Sequence, residues 1–67
     1  MKLVVCGKDF HVVKNVDFMD FLFIESEIRK RFNISGKSLS YKINNRDQYS
    51  GVVSLDNKDI ASFILEV

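Results

Sequence analysis

The stretch that decides the fold is DFMDFLFIESEIRKRF, residues 17–32 of a 67-residue chain. At about 100° per residue its large apolar side chains gather on one broad face, which is typical of an amphipathic helix. The core face predicted in this way consists of Phe18, Phe21, Leu22, Ile24, Ile28 and Phe32. Asp17 or Asp20 can cap the start of the helix, and the basic run at residues 29–31 suits the negative end of its dipole.

Two apolar residues of this stretch, Met19 and Phe23, fall away from the predicted core face. They are four residues apart, so a helix that begins at Phe18 would expose both on one side. A helix that begins later, at Asp20, would instead fold Met19 into the preceding loop. Both residues are candidates for partner binding, and the start of the helix is left open.

Alternating apolar and polar residues flank the helix on both sides. Before it, residues 2–6 and 10–16 are rich in valine and are joined by Gly7, Lys8 and Asp9, which predicts a hairpin. After it, strands are predicted at residues 38–44, 49–55 and 62–67. A polar connection at residues 45–48 and a turn or short helical loop at residues 56–59 separate these strands. The chain therefore reads as a single α+β domain over residues 1–67.

The composition argues against several classes of function. The formal net charge of +1 gives no strong field for nucleic acid or membranes. No apolar run approaches the roughly 20 residues needed to span a bilayer. The single cysteine, Cys6, allows no intramolecular disulfide, and the single histidine, His11, completes no zinc-ligand pattern. We expect a cytoplasmic domain without cofactor or metal, and no nucleic acid, membrane or small-molecule substrate as its partner.

The sequence contains few residues that could form a catalytic site. Cys6 and His11 lie across the predicted hairpin, where a thiolate and an imidazolium would form a nucleophilic pair. The alternative is that Cys6 is a small apolar strand residue and His11 a polar one. Gly7, Gly36 and Gly51 form neither a phosphate-binding loop nor a dinucleotide motif. We therefore expect that the protein is not an enzyme. A thiol-dependent enzyme that uses Cys6 is the least favoured hypothesis.

The sheet face turned away from the helix carries more apolar residues than a solvated surface needs. The strand residues expected to face the helix are Leu3, Val12, Val53 and Phe63. With these inside, the strands turn a second apolar set outward, namely Val4, Val13, Val52 and Ile64. Single exposed aliphatic residues are normal, but neighbouring ones form a patch that indicates a partner surface or a dimer contact.

The order of hairpin, helix and three strands resembles the ubiquitin-like β-grasp superfamily over nearly the whole chain. The resemblance implies a mixed sheet packed on one helix, with strand order 2-1-5-3-4. Residues 27–34, 39–42 and 53–60 look like the Phox and Bem type of interaction domain. Those domains associate head to tail, when an acidic loop of one meets a strand lysine of the next, and Lys2 is the only strand-one lysine that corresponds here. Lys42, which ends the segment 39–42, is a further candidate for partner binding. Residues 44–48 carry one acid and one base rather than an acidic loop.

Residues 41–53, with Asp47, Gly51, Val52 and Val53, also resemble the DIX domain, a β-grasp module that polymerises through strand pairing. Ubiquitin-like modifiers end in a diglycine, whereas this chain ends in Leu65, Glu66 and Val67, so a covalent modifier is not expected. The expected function is a non-catalytic protein-interaction or assembly module that binds through its sheet face or a strand edge. A structural homo-oligomerisation domain is the alternative.

Overall fold

A computed structural model describes residues 1–34, 36–44, 46 and 49–66. In these residues it contains one five-stranded sheet and one helix. The elements are β1 (Lys2–Gly7), β2 (His11–Asn15), α1 (Phe21–Arg31), β3 (Ser40–Ile43), β4 (Ser50–Leu55) and β5 (Lys58–Glu66). The α+β class and the order of elements expected from the sequence are confirmed.

The sheet has the order β2-β1-β5-β4-β3, and each neighbouring pair is antiparallel. The expected mixed sheet and the order 2-1-5-3-4 are therefore wrong. The departure from a mixed sheet lies in the antiparallel β1–β5 pair. The different strand order has its reason in the turn between Leu55 and Lys58, which pair directly with each other. Its two residues, Asp56 and Asn57, have φ angles of 53° and 66°. Such a two-residue turn with positive φ at both positions makes consecutive strands antiparallel neighbours.

The same turn moves the start of the last strand. Residues 56–59 were expected to form a turn or a short helical loop, with a strand only from Ser62. In the structure only Asp56 and Asn57 form the turn, and β5 begins at Lys58. The longer strand brings Ala61 into the core, where it is buried opposite Val53.

The helix begins later than Phe18. Asp20 caps it, because one carboxylate oxygen accepts a hydrogen bond from the Phe23 backbone N–H at 3.1 Å. With this start, Ile24 and Ile28 are fully buried, while Leu22 is 81% and Phe18 is 64% exposed. The predicted core face is therefore wrong for Leu22 and Phe18. Leu22 lies two residues from Ile24, which places it on the far side of the helix.

The core lies between the helix and one face of the sheet. Its buried apolar residues are Leu3, Val5, Ile24, Ile28, Ile34, Val53, Ala61, Phe63 and Leu65. Leu3, Val53 and Phe63 face inward as expected, and Val12 packs against the core. Because side chains alternate along a strand, their neighbours face the opposite side of the sheet. No described element covers that side, which we call the outer face.

Two expectations fall outside the described residues. The polar connection at residues 45–48 is described only at Arg46, and Val67, the last residue of the strand predicted at 62–67, is not described.

Candidate partner-binding surface on the sheet

Three of the predicted partner-binding residues form one row across the outer face. Val4 of β1 pairs with Val13 of β2 on one side and with Ile64 of β5 on the other. Directly paired residues of an antiparallel sheet bring their side chains into contact. The strand register therefore makes one continuous apolar strip from the edge strand β2 to the central strand β5.

The fourth predicted residue, Val52, lies in the next row of the same face. It pairs with Ser62 of β5, while Ile64 pairs with Ser50 two residues away, so Val52 and Ile64 are diagonal neighbours. Val13 is 50% and Ile64 is 44% exposed, whereas Val4 and Val52 are half-buried. We call Val4, Val13, Val52 and Ile64 together the apolar patch. The structure brings all four together, as the sequence predicts.

Charged pairs stand at both ends of the apolar patch. Lys2 pairs with Glu66 across β1 and β5 at one end. At the other end the Lys42 ammonium lies 3.5 Å from a carboxylate oxygen of Asp59. Each end therefore carries one cation and one anion, and the rim has no dominant sign of charge. Lys2 and Lys42, both predicted as partner-binding residues, are exposed on this rim.

Asp59 is held in its ionised form by two neighbours. The Ser54 hydroxyl donates a hydrogen bond of 2.7 Å to its carboxylate, and Lys42 supplies a positive charge. The Ser54 hydrogen bond first, and the Lys42 charge second, lower the pKa of Asp59 below its ordinary value. Ser54 itself is only 2% exposed. This end of the surface therefore carries an exposed ion pair whose carboxylate is bonded to the buried Ser54 hydroxyl.

Met19 and Phe23, the other two predicted residues, do not belong to this surface. Both are partly buried and pack against the core, so the later helix start is the one that the structure adopts. The Lys14 ammonium covers the Phe23 ring at 4.9 Å from its centroid. Of the two alternatives left open by the sequence, the structure has the start at Asp20 with Met19 in the preceding loop, and not the joint exposure of Met19 and Phe23.

A second exposed apolar cluster was missed because its residues were assigned to the core. Phe18 and Leu22 border a groove at the start of the helix, together with Lys14, Phe21 and Ser26. For Phe18 the available signal was the cap, because a helix capped by Asp20 rather than Asp17 leaves Phe18 outside the helix. For Leu22 it was the spacing of two from Ile24, which places the two side chains about 200° apart around the helix.

The candidate nucleophile and its candidate base also lie on the outer face. Cys6 pairs directly with His11 across β1 and β2, with Cys6 half-buried and His11 exposed. Adjacent placement of a thiol and an imidazole is a geometric condition for thiolate chemistry. The pair lies on an open sheet surface rather than in a cleft that excludes water, so it lacks the enclosure typical of an active site.

The described residues contain no group of three or more His, Cys, Asp or Glu side chains that could hold a metal ion. Within the same ranges, no helix has the length and apolar character needed to cross a membrane. No family model, curated protein or solved structure matches this chain.

Proposed function

We propose that this protein is a non-catalytic interaction module, which binds a folded protein partner through the outer face of its sheet. The single observation that supports this most is the register that aligns Val13, Val4 and Ile64 in one strip, with Val52 beside it. Exposed aliphatic residues that neighbour one another across three strands are the usual mark of a protein-binding surface.

The charges around the patch indicate the chemistry of the partner. Lys2 with Glu66, and Lys42 with Asp59, leave neither end of the patch with an excess of one sign. A strongly acidic or basic partner would gain little from such a rim. The fitting partner therefore presents an apolar centre with mixed charges around it.

The module is small, with Cα extents of 31 × 23 × 20 Å. Interfaces at the low end of the size range are typical of transient complexes. We therefore expect a reversible complex.

The β-grasp resemblance supports the proposal only through the order of the elements and the central β1–β5 pair. The antiparallel direction of that pair departs from the mixed sheet which the resemblance implies. The proposed surface therefore rests on the register of this sheet and not on the head-to-tail association of Phox and Bem type domains.

The test uses a variant that changes the patch and keeps the net charge. In the double variant Ile64→Lys, Val52→Glu the new lysine lies near Glu66 and the new glutamate faces Lys42, so each gains an opposite charge. Immobilised wild type and variant are compared for proteins retained from an extract of the source cells, quantified by mass spectrometry. A specific partner is expected on the wild type and is lost from the variant, while circular dichroism shows that the variant is folded.

Leu22→Gln is the matched control, because it removes one exposed apolar side chain from the helix instead of the sheet. It is expected to retain the same partner as the wild type. Loss of that partner from Leu22→Gln, with retention by the double variant, would move the binding site to the groove at the helix start and refute the proposal.

A further inference from the structure

The outer edge of β2 presents a regular set of unpaired backbone groups. Two hydrogen bonds define which groups of this strand face β1, because the Val16 N–H donates to the Met1 carbonyl at 2.9 Å and the Gly7 N–H donates to the Phe10 carbonyl at 3.0 Å. Hydrogen-bonded and non-hydrogen-bonded pairs alternate along an antiparallel ladder. Val12 and Lys14 therefore also bond to β1.

The alternation leaves the other three residues of β2 facing away from β1. These are His11, Val13 and Asn15, and each directs its backbone N–H and C=O to the free edge of the sheet. Six hydrogen-bonding groups thus line one edge at regular spacing.

This edge lacks the features that commonly prevent strand pairing, which are proline, a β-bulge and outward charges. The chain contains no proline, and β2, which is described in full, pairs with β1 without a register shift. Lys14 is the only charged residue of His11–Asn15. Its ammonium lies 3.6 Å from the Asp20 carboxylate and over the Phe23 ring, so its side chain is held on the helix side.

The opposite edge is less suited to pairing. In β3 the Asn44 N–H donates to the Ser50 carbonyl at 2.9 Å, so Ser40 and Lys42 bond to β4 and only Tyr41 and Ile43 face outward within the strand. Two outward residues on a four-residue strand allow fewer bonds than three on β2.

We propose that a second copy of this chain pairs its β2 antiparallel to the first along this edge, with the two-fold axis at Val13. In this register Val13 faces Val13 of the second copy, and His11 faces Asn15 of the second copy at either end. Each copy contributes three N–H donors and three C=O acceptors, and every one of them is then bonded. Six hydrogen bonds therefore join the two copies. The inference concerns the edge of the sheet and does not depend on the proposed use of its outer face.

Side-chain placement favours this register. Lys14 faces Val12 of the second copy, so no two like charges are directly opposed. On the outer face Val13 touches its own counterpart, and the strip of Ile64, Val4 and Val13 continues into the same strip of the second copy. The two sheets become one sheet of ten strands, whose outer face is twice the area that one copy offers.

The first test removes one bond donor from the edge. Val13→Pro deletes an N–H that faces away from β1, and proline is accepted in edge strands when its nitrogen faces solvent. Sedimentation of the wild type should show the mass rising with concentration from 7.8 kDa to twice that value. Val13→Pro should stay at the monomer mass, and Val13→Thr, which keeps the N–H and the branched side chain, should dimerise like the wild type.

A chemically synthesised chain with N-methylvaline at position 13 covers the case in which Val13→Pro fails to fold. It removes the same donor without the proline ring and should also stay monomeric. A wild type that remains a monomer up to its solubility limit overturns the inference. So does a folded Val13→Pro or N-methyl variant that dimerises as the wild type does.

The second test reads the register, in a Cys6→Ser background. Paired residues at a hydrogen-bonded position have Cα atoms about 5.5 Å apart, within the range of a disulfide. Val13→Cys should therefore form a covalent dimer on mild oxidation. His11→Cys should not, because its own counterpart lies about 13 Å away along the strand. Equal cross-linking of the two variants refutes the register, and loss of dimerisation in Ile64→Lys would show that the copies associate by their faces instead.

Discussion

Phe63 lies directly opposite Gly51 in the β4–β5 pair, and its ring fills the space beside the glycine. The same ring meets Phe21 of the helix and Tyr41 of β3 edge to face, with centroids 5.9 and 6.4 Å apart. Phe21 and Tyr41 in turn lie 5.3 Å apart. One aromatic residue thus connects the start of the helix to the half of the sheet that contains β3, and it can do so because residue 51 has no side chain.

Gly51→Ala is therefore expected to destabilise the fold, although alanine is ordinarily preferred over glycine in a strand interior by about 0.5–1 kcal/mol. The new Cβ would stand 2.6 Å from the Phe63 ring and would also overlap the Lys42 backbone carbonyl. Overpacking of this kind costs about 1–3 kcal/mol. Urea unfolding measures the change, and a variant as stable as the wild type would contradict the packing described for this pair.

A double-mutant cycle with Phe63→Leu separates the steric overlap with the Phe63 ring from the overlap with the Lys42 carbonyl. The shorter leucine relieves the overlap with the ring and leaves the overlap with the Lys42 carbonyl. We expect Gly51→Ala to cost less in the Phe63→Leu background than in the wild type, with a remaining cost from the backbone contact.

The inward residues of the strands were predictable, because burial on one side of a sheet imposes a period of two on the sequence. Leu3, Val5 and Phe63 follow that rule. Strand direction was not predictable from the same signal, since alternation is identical in parallel and antiparallel strands. The information lay in Asp56 and Asn57, whose tolerance of positive φ allows the tight turn that makes β4 and β5 antiparallel.

The prediction of which side of the helix is buried was wrong for a different reason. Residues 18–24 are apolar except for Asp20, so periodicity alone does not select a buried side at this end. The buried side is set further along the helix, where Ile28 lies four residues after Ile24, and Leu22 is then about 200° from Ile24. The period of two in the strands therefore placed the apolar patch on the outer face from the sequence, whereas the groove at Phe18 and Leu22 was missed.

The cap itself is testable. Asp20→Ala removes the hydrogen bond to the Phe23 N–H and the ion pair with Lys14, and we expect a loss of about 0.5–2 kcal/mol in unfolding free energy. Asp20→Asn keeps a capping oxygen without the charge and should restore most of the loss. Asp17→Ala, at the other candidate cap, should change little. A larger loss from Asp17→Ala than from Asp20→Ala would place the helix start elsewhere.

Glu27 should make the stability depend on pH. It lies 2.9 Å from the Lys30 ammonium and 3.4 Å from the Arg31 guanidinium. The hydrogen bond from Lys30, aided by the charges of Lys30 and Arg31, holds the pKa of Glu27 below its ordinary 4.5 despite the opposing effect of burial. A carboxyl group with a lowered pKa in the folded state stabilises the fold above its unfolded pKa, and this contribution is lost as the pH falls through the folded value.

Wild type should accordingly be more stable than Glu27→Gln at neutral pH, by less than about 1 kcal/mol, and the difference should shrink below pH 4.5. Urea unfolding at a series of pH values measures it. Lys30→Met removes the main partner and should weaken the pH dependence of the difference. A difference that is constant with pH would show that the Glu27 charge is not involved.

Arg29 holds the segment that follows the helix. Its guanidinium donates to the Ile34 carbonyl at 3.2 Å and to the Lys37 carbonyl at 2.8 Å. Lysine cannot reproduce both bonds, so Arg29→Lys should cost about 0.5–1.5 kcal/mol per lost bond. Hydrogen exchange of the Lys37 amide, which donates to Ile34, should accelerate. Arg31→Lys is the control, because Arg31 bonds within the helix and should leave that amide unchanged.

The phase of the helix can be read from two alanine substitutions placed two residues apart. Ile24 is fully buried, so Ile24→Ala should cost about 2–5 kcal/mol and leave little or none of the stability of so small a domain. Leu22 is 81% exposed, so Leu22→Ala should change the unfolding free energy by no more than about 0.5 kcal/mol. Both substitutions produce the same residue in the same helix, which leaves burial as the main difference between them. Equal losses, measured by urea unfolding, would mean that Leu22 packs against the core and that the helix is rotated from the position described.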